Sequence, residues 1–217
     1  MRKVLFYIIM QIAVINYNMG NLGSAGKALT RLGAEVRVIE RPVELAHFRT
    51  ALLPGVGSFG DGMENLRSAG MDAAIRDHLA RGGWLLGICL GMQMMLDASE
   101  ESPGAAGLGL MRGCCRRFAA EEGRKVPQIG WNRVDFVPGT PLADGLERGE
   151  FFYFVHSFHV PAGTPQEIGS TRYGIPFASA IAVSPRCFGV QFHPEKSQGA
   201  GLRLLENYLR LAAADGA

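Results

Sequence analysis

The sequence predicts an α/β fold: a single domain with a mostly parallel central sheet, helices on both faces, and some antiparallel strands in the C-terminal half. Three observations predict it. Short apolar runs alternate with helical patterns through the first half of the chain. Many of the 29 glycines cluster where a strand would turn into a helix. The second half changes to strands joined by short turns, closed by a final helical pattern.

Taken in order, Gln11–Asn16 reads as a buried first strand, on the strength of Ile12-Ala13-Val14-Ile15. Leu22–Leu32 carries apolar residues at helical spacing and stops at Gly33, a good helix-ending residue. Glu35–Ile39 is the next strand, and Ala51–Leu53 is a brief one running into Pro54-Gly55-Val56-Gly57. Met63–Ala80 reads as one helix closed by Gly82-Gly83. Trp84–Ile88 is a nearly continuous apolar strand, and Leu90–Leu96 begins a helix. In the second half, Val134–Phe136, Phe151–Val160, Glu167–Arg172, Ala178–Val183 and Cys187–Gln191 read as strands, and Leu202–Ala213 as the closing helix. No repeat, low-complexity segment or linker divides the chain, so residues 1–217 read as one domain.

Composition narrows the function classes. A hydrophobic fraction of 47% with 19% charged residues is globular rather than disordered. A net charge of +2 gives no concentrated basic face, so no nucleic acid partner is expected. The four cysteines, Cys89, Cys114, Cys115 and Cys187, form no CxxC pair. Their spacing predicts neither a disulfide framework nor a metal site, and reduced thiols in a cytoplasmic protein are expected. Arg2, Lys3 and the apolar run Val4–Met10 resemble the start of a signal peptide. No small-residue cleavage site follows, and the run falls short of the ~20 residues that span a bilayer, so no membrane association is expected. Residues 1–9 are either an extension ahead of a start at Met10 or native chain; both readings stay open.

The strongest chemical signal is Gly87-Ile88-Cys89-Leu90-Gly91, a G-x-C-x-G between an apolar strand and a helix. Such an elbow exposes its central residue on a tight turn, and the flanking glycines let neighbouring backbone approach. A cysteine there sits at a helix N-terminus, where unpaired N–H groups favour thiolate. The N–H of Leu90 is placed to meet an oxyanion. The competing reading is a buried core cysteine. Downstream, Gln191-Phe192-His193-Pro194-Glu195 puts a histidine just past a strand, at the sheet edge where α/β proteins bind ligands. His193 can take the thiol proton and return it to a leaving group, with Glu195 fixing its tautomer. The glycine-rich Pro54–Gly62 lacks both the G-K-[ST] of a P-loop and the G-x-G-x-x-G spacing, so backbone N–H groups offered to an oxyanion fit it better. His156 and His159 receive no chemical role.

These three elements together resemble the class I (triad) glutamine amidotransferases. Finer strings resemble one branch of that family: Tyr17–Ser24, Pro54–Phe59, Gly87–Gln93, Ile129-Gly130-Trp131-Asn132, Tyr153-Phe154-Val155-His156-Ser157 and Gly189–Ser197, spread over nearly the whole chain in family order. The branch comprises glutaminase subunits that supply ammonia to a separate (β/α)-barrel cyclase in histidine biosynthesis. The resemblance implies a flavodoxin-like domain without cofactor or metal. It implies Cys89, His193 and Glu195 as triad, with Val56 and Leu90 giving backbone N–H groups to the oxyanion. It implies Gly55, Gly57, Gln93, Glu101, Ser157 and Phe158 around the substrate glutamine. Asn21, Ser24, Gln128, Trp131, Tyr153 and Lys196 match positions facing the cyclase in a heterodimer, which makes imidazole glycerol phosphate and an aminoimidazole carboxamide ribonucleotide. Two departures stand out: Gln128 where the branch usually has histidine, and Phe158 where it commonly has tyrosine. Alternatives on the same scaffold are a glutaminase subunit of another synthase, a stand-alone glutamyl hydrolase, and a binding module with a dead site.

Overall fold

The computed structural model describes residues 10–119 and 125–215. The N-terminal segment over residues 1–9 lies outside the described residues. The first half runs β1 (Gln11–Ile15), α1 (Leu22–Arg31), β2 (Glu35–Ile39), α2 (Pro42–Leu45), β3 (Thr50–Gly55), α3 (Phe59–Ser68), α4 (Met71–Ala80), β4 (Trp84–Cys89) and α5 (Leu90–Gln93). The second half adds β5 (Ala98–Ser99), β6 (Cys114–Arg117), β7 (Gln128–Phe136), β8 (Glu150–His156), β9 (Phe158–Pro161), β10 (Glu167–Tyr173), β11 (Ile175–Ser184), β12 (Cys187–Val190) and α6 (Gln198–Ala214). The main path of the sheet is β2-β1-β3-β4-β12-β11-β10-β7-β8. Its first five members are parallel; from β12 onward each neighbour is antiparallel. This is the α/β architecture expected, with the antiparallel strands confined to the C-terminal half.

Strand alternation divides the core between the two faces of the sheet. Ile12, Val14, Leu52, Leu86 and Ile88 pack with Leu29 of α1 and Leu204, Leu205 and Tyr208 of α6. Ala13, Ile15, Leu53 and Leu85 pack on the other side with Met63 and Leu66 of α3, Ile75 of α4 and Met92 of α5. Because both faces of these strands are covered, their sequences are continuously apolar. Each large side chain fully removed from water contributes about 1.5–3 kcal/mol.

Caps mark the helix boundaries. Asn21 Oδ1 accepts from the Ser24 N–H (3.3 Å) at the start of α1, and Ser58 Oγ accepts from the Asp61 N–H (3.3 Å) at the start of α3. The single helix expected over Met63–Ala80 is two. Gly70 stands between them at φ +68°, a left-handed conformation that terminates a helix and that glycine adopts without strain. The strand expected over Phe151–Val160 is broken at Ser157 into β8 and β9, which pair with different partners. The strand expected at Val134–Phe136 starts at Gln128. Its inward positions there are Gln128, Gly130 and Asn132, polar or small residues that hide the period of two.

Candidate active site

The elbow is built by close packing of backbone. β4 ends at Cys89, whose φ of 55° and ψ of −109° is strained for a residue with a side chain. α5 starts immediately after it. A Cβ on Gly91 would collide with the carbonyl oxygen of Leu53, and one on Gly55 would lie 2.7 Å from both the Gly91 nitrogen and Leu90 Cβ. The elbow therefore closes only because β3 and α5 lack side chains where they cross. Tyr17 fills the space beside it, and its hydroxyl donates to the Pro54 carbonyl (2.8 Å), holding the start of the glycine-rich loop. Burial, with the Cys89 sulfur nearby, pushes the Tyr17 phenol well above its ordinary range, so it stays neutral.

β12 lies directly beside β4 in parallel register, which brings the chain after it to the same sheet edge. His193 and Glu195 stand there, buried to 2% and 3% side-chain exposure, with His193 Nδ1 2.8 Å from Glu195 Oε1. The carboxylate can only accept, so Nδ1 donates and Nε2 is the end free for proton exchange. Nε2 is buried and makes no hydrogen bond at ordinary distance. Burial lowers the proton affinity of the ring, but Cys89 on one side and Glu195 on the other outweigh it, and the imidazole pKa rises to about 9. His193 Nε2 makes no formed hydrogen bond to Cys89 here, a looseness common in unliganded active sites.

A cavity of about 290 Å³ opens over this edge, lined by Val56, Gly57, Cys89, Leu90, Gln93, Glu101, Pro127, Val155, His156, Ser157, Phe158 and His193. Glu195 stands behind His193, and Gly55 lies behind Val56 in a narrow adjoining crevice shared with Asn21, His193 and Glu195. Glu101 Oε2 accepts from the Phe59 N–H (2.7 Å), and burial raises the carboxyl's pKa. Gln93 Nε2 donates to the Phe158 carbonyl and to Gln191 Oε1, both at 2.9 Å. A wider depression of about 580 Å³ bounded by residues 135–148 and Arg210 contains none of these residues. Among the described residues no group of three or more His, Cys, Asp or Glu side chains is placed to hold a metal ion, and no helix is long and apolar enough to cross a membrane.

A buried thiol on a strained turn beside a carboxylate-oriented imidazole can perform acyl transfer by nucleophilic catalysis. The family model described as glutamine amidotransferase class-I matches residues 13–211. The chain belongs to this family. It is 47% identical over 206 residues to the imidazole glycerol phosphate synthase subunit HisH of Moorella thermoacetica, covering 94% of this chain and 97% of that protein. It is 43% identical over 204 residues to the protein of the same name from Wolinella succinogenes, covering 92% and 99%. Among solved structures, a glutamine amidotransferase superposes with a TM-score of 0.73 at 20% identity, covering 93% of this chain and 98% of the other. PurLQS from Thermotoga maritima gives the same score and identity, covering 94% and 99%. These two likenesses show the fold.

The remaining residues singled out in this amidotransferase fall into three groups. Trp131, Tyr153 and Lys196 cluster on the outer face of the β7–β8 hairpin. Trp131 meets Tyr153 edge to face at 6.2 Å, and Lys196 Nζ lies 5.7 Å from the Tyr153 ring. Ile129 and Phe151 are exposed on the same face. Asn21 and Ser24 instead form the cap of α1. Gln128, matched to a partner-facing position, is buried: it points inward because it alternates with Ile129, and its amide lies 3.1 Å from His156 Nε2. Its side chain therefore presents no surface to a partner. His156 Nδ1 is 2.7 Å from the Phe158 carbonyl, and burial depresses the ring's pKa to about 3, so it is neutral. Reasoning from the sequence missed Pro127, Val155 and His156 as cavity walls, and it missed Gln191. The signal for Gln191 was available, since a residue two before His193 on a strand end faces the same way.

Proposed function

We propose that this amidotransferase is the glutaminase subunit of imidazole glycerol phosphate synthase, acting through Cys89, His193 and Glu195 as one cytoplasmic domain without cofactor or metal. The observation that carries this is the strained Cys89 elbow set beside the buried His193–Glu195 pair. His193 Nε2 takes the thiol proton, and the Cys89 sulfur attacks the carboxamide carbon of glutamine. The resulting oxyanion is met by the backbone N–H groups of Leu90 and Val56. The C–N bond then breaks, His193 returns its proton to the nitrogen, and ammonia leaves behind a glutamyl thioester. Water, activated by His193, hydrolyses the thioester to glutamate and the free thiol. Gly57, Gln93, Glu101, Ser157 and Phe158 hold the glutamine, and Gly55 supports the loop from behind Val56.

Ammonia passes to a (β/α)-barrel cyclase subunit in a heterodimer, which makes imidazole glycerol phosphate and the aminoimidazole carboxamide ribonucleotide in histidine biosynthesis. Support for a protein partner comes from the outer face of the hairpin, where Ile129, Trp131 and Phe151 leave large apolar side chains in water beside Tyr153 and Lys196. A coupled ammonia assay on the chain with its cyclase tests the reading. Glutamine turnover that survives Cys89→Ala overturns the chemistry, and full turnover without any partner favours the stand-alone glutamyl hydrolase.

A further inference from the structure

One buried side chain outside the triad touches the reacting atom. Gln191 is fully buried, and its Nε2 lies 3.6 Å from Cys89 Sγ. An amide can be drawn either way round, but its neighbours fix this one. The Phe158 carbonyl only accepts, so the end of Gln93 that meets it is the NH2 end. That same nitrogen meets the Gln191 side chain, which must therefore present its oxygen to Gln93 and its NH2 to the sulfur. One hydrogen of Gln93 Nε2 is thus spent on the Phe158 carbonyl and the other on Gln191 Oε1, and the Gln191 backbone N–H is fixed separately on the Ser179 carbonyl (2.9 Å).

The sulfur has a second polar neighbour of the opposite kind. The Val155 carbonyl lies 3.8 Å away and can only accept, so it favours the neutral S–H. Gln191 can only donate, so it favours the thiolate. The other titratable groups around the sulfur are His193 and, behind it, Glu195; Tyr17, neutral; and Glu101 across the cavity. Among these contacts, the Gln191 amide is the uncharged donor directed at the sulfur.

We propose that Gln191 is a catalytic residue: its amide N–H stabilises and aims the Cys89 thiolate once His193 has taken the proton, and Gln93 locks it in that orientation. Because Gln93 also lines the glutamine cavity, the donor on the nucleophile and the wall that receives substrate form one hydrogen-bonded unit. This deepens the glutaminase reading and rests on it for the catalytic role, while the contact itself is open to test without turnover.

The test measures the pH dependence of Cys89 alkylation by iodoacetamide in the full chain, followed by peptide mass spectrometry so that Cys114, Cys115 and Cys187 are scored separately. In Gln191→Met, which keeps the volume and loses the donor, the alkylation midpoint moves up by about one pH unit or more. Glutaminase kcat in the complex falls about ten- to a hundred-fold, with KM changed by no more than a few-fold. An unchanged alkylation profile in a folded Gln191→Met chain overturns the proposal. If that variant does not fold, the side-chain amide protons of Gln191 in the otherwise native chain decide it by NMR: they move when Cys89→Ala is introduced if the contact exists, and their standing still overturns it. A native complex with the cyclase that turns over no glutamine sinks the glutaminase reading instead, and leaves the alkylation comparison to decide the contact.

Discussion

The parallel half of the sheet and its antiparallel arm are built to different rules. In β1, β3 and β4 every neighbour is packed, and β3 and β4 carry no exposed residue along their length. In the β7–β8 hairpin one face is buried on Phe152 and Phe154 while the other leaves Ile129, Trp131 and Phe151 in water. The first region holds the proposed nucleophile Cys89, the proposed base His193 and the turn that strains Cys89. The second supplies Ser157, Phe158 and the outer apolar face. Rigidity is therefore concentrated where bonds are made, and adaptable surface where another protein can bind.

The largest expected effect breaks the parallel half at its chemical point. Cys89→Ala removes the nucleophile without changing the packing of β4, and glutamine hydrolysis falls by about a thousand-fold or more, with the melting temperature nearly unchanged. The same variant reports on His193. Its pKa of about 9 depends on Cys89 and Glu195 together, so removing the sulfur lowers the midpoint seen by NMR titration. In the native protein the sign is that of a raised base: the protonated ring is present below about 9 and lost above it. Ammonia release requires that proton, so kcat/KM falls on the alkaline limb through about pH 9. A kcat/KM flat to pH 10 contradicts the role of His193 as acid.

The difference between the two regions also explains what the sequence disclosed. Strands buried on both faces are continuous apolar runs, so β1, β3 and β4 were legible from residues alone, as was the elbow between Gly87 and Gly91. The start of β7 was not. Gln128, Gly130 and Asn132 face inward and Ile129 and Trp131 face out, an inversion of the usual pattern that only the register with β8 resolves. The break at Gly70 escaped notice because the residues on each side keep helical spacing. The proposed triad could be named from the sequence because its members lie in two short strings, which the fold brings to one sheet edge. Gln191 sits in one of those strings, but its role depends on Gln93, nearly a hundred positions away, and on amide orientation that no linear pattern encodes.

Next in size is an effect on stability confined to the parallel half. Gly91→Ala drives a methyl into the Leu53 carbonyl, a backbone atom that cannot swing aside. Urea unfolding should show a loss of about 1–3 kcal/mol, with activity reduced as the elbow shifts. Gly130→Ala in the arm meets open space, although its φ of +131° adds strain, so it should cost less. Equal losses would mean that close packing at the elbow is not what sets the cost.

A smaller loss is expected where the arm turns inward. A neutral His156 that donates from Nδ1 to Phe158 needs a donor at Nε2, so the Gln128 amide, placed with Oε1 3.1 Å from that nitrogen, must turn over to present its NH2 end. Gln128→Leu leaves that buried nitrogen without a partner, at a cost of about 1 kcal/mol or slightly more. Gln128→His restores a donor by presenting Nε2–H or Nδ1–H, and stability should return to near the native value. Nitrogen chemical shifts of His156 check the mechanism directly, since the Nδ1–H tautomer should persist in the histidine variant. A tautomer that reverses with no loss in the leucine variant rules this account out.

The smallest effect on the isolated chain should come from Trp131→Ala. The ring is 46% exposed and touches Tyr153 at its edge, so its removal leaves no cavity in the core. Thermal unfolding of the chain alone should change by less than about 0.5 kcal/mol. Binding to the cyclase should weaken by about tenfold or more, because an exposed tryptophan beside Tyr153 and Lys196 has the size, rigidity and mixed polarity of an interface anchor. The contrast is what matters here: the same deletion is nearly silent in one assay and strong in the other. A tryptophan whose loss lowers stability and leaves affinity intact would be a structural part of the hairpin, and the outer face would then lose its claim to be the surface that meets the cyclase.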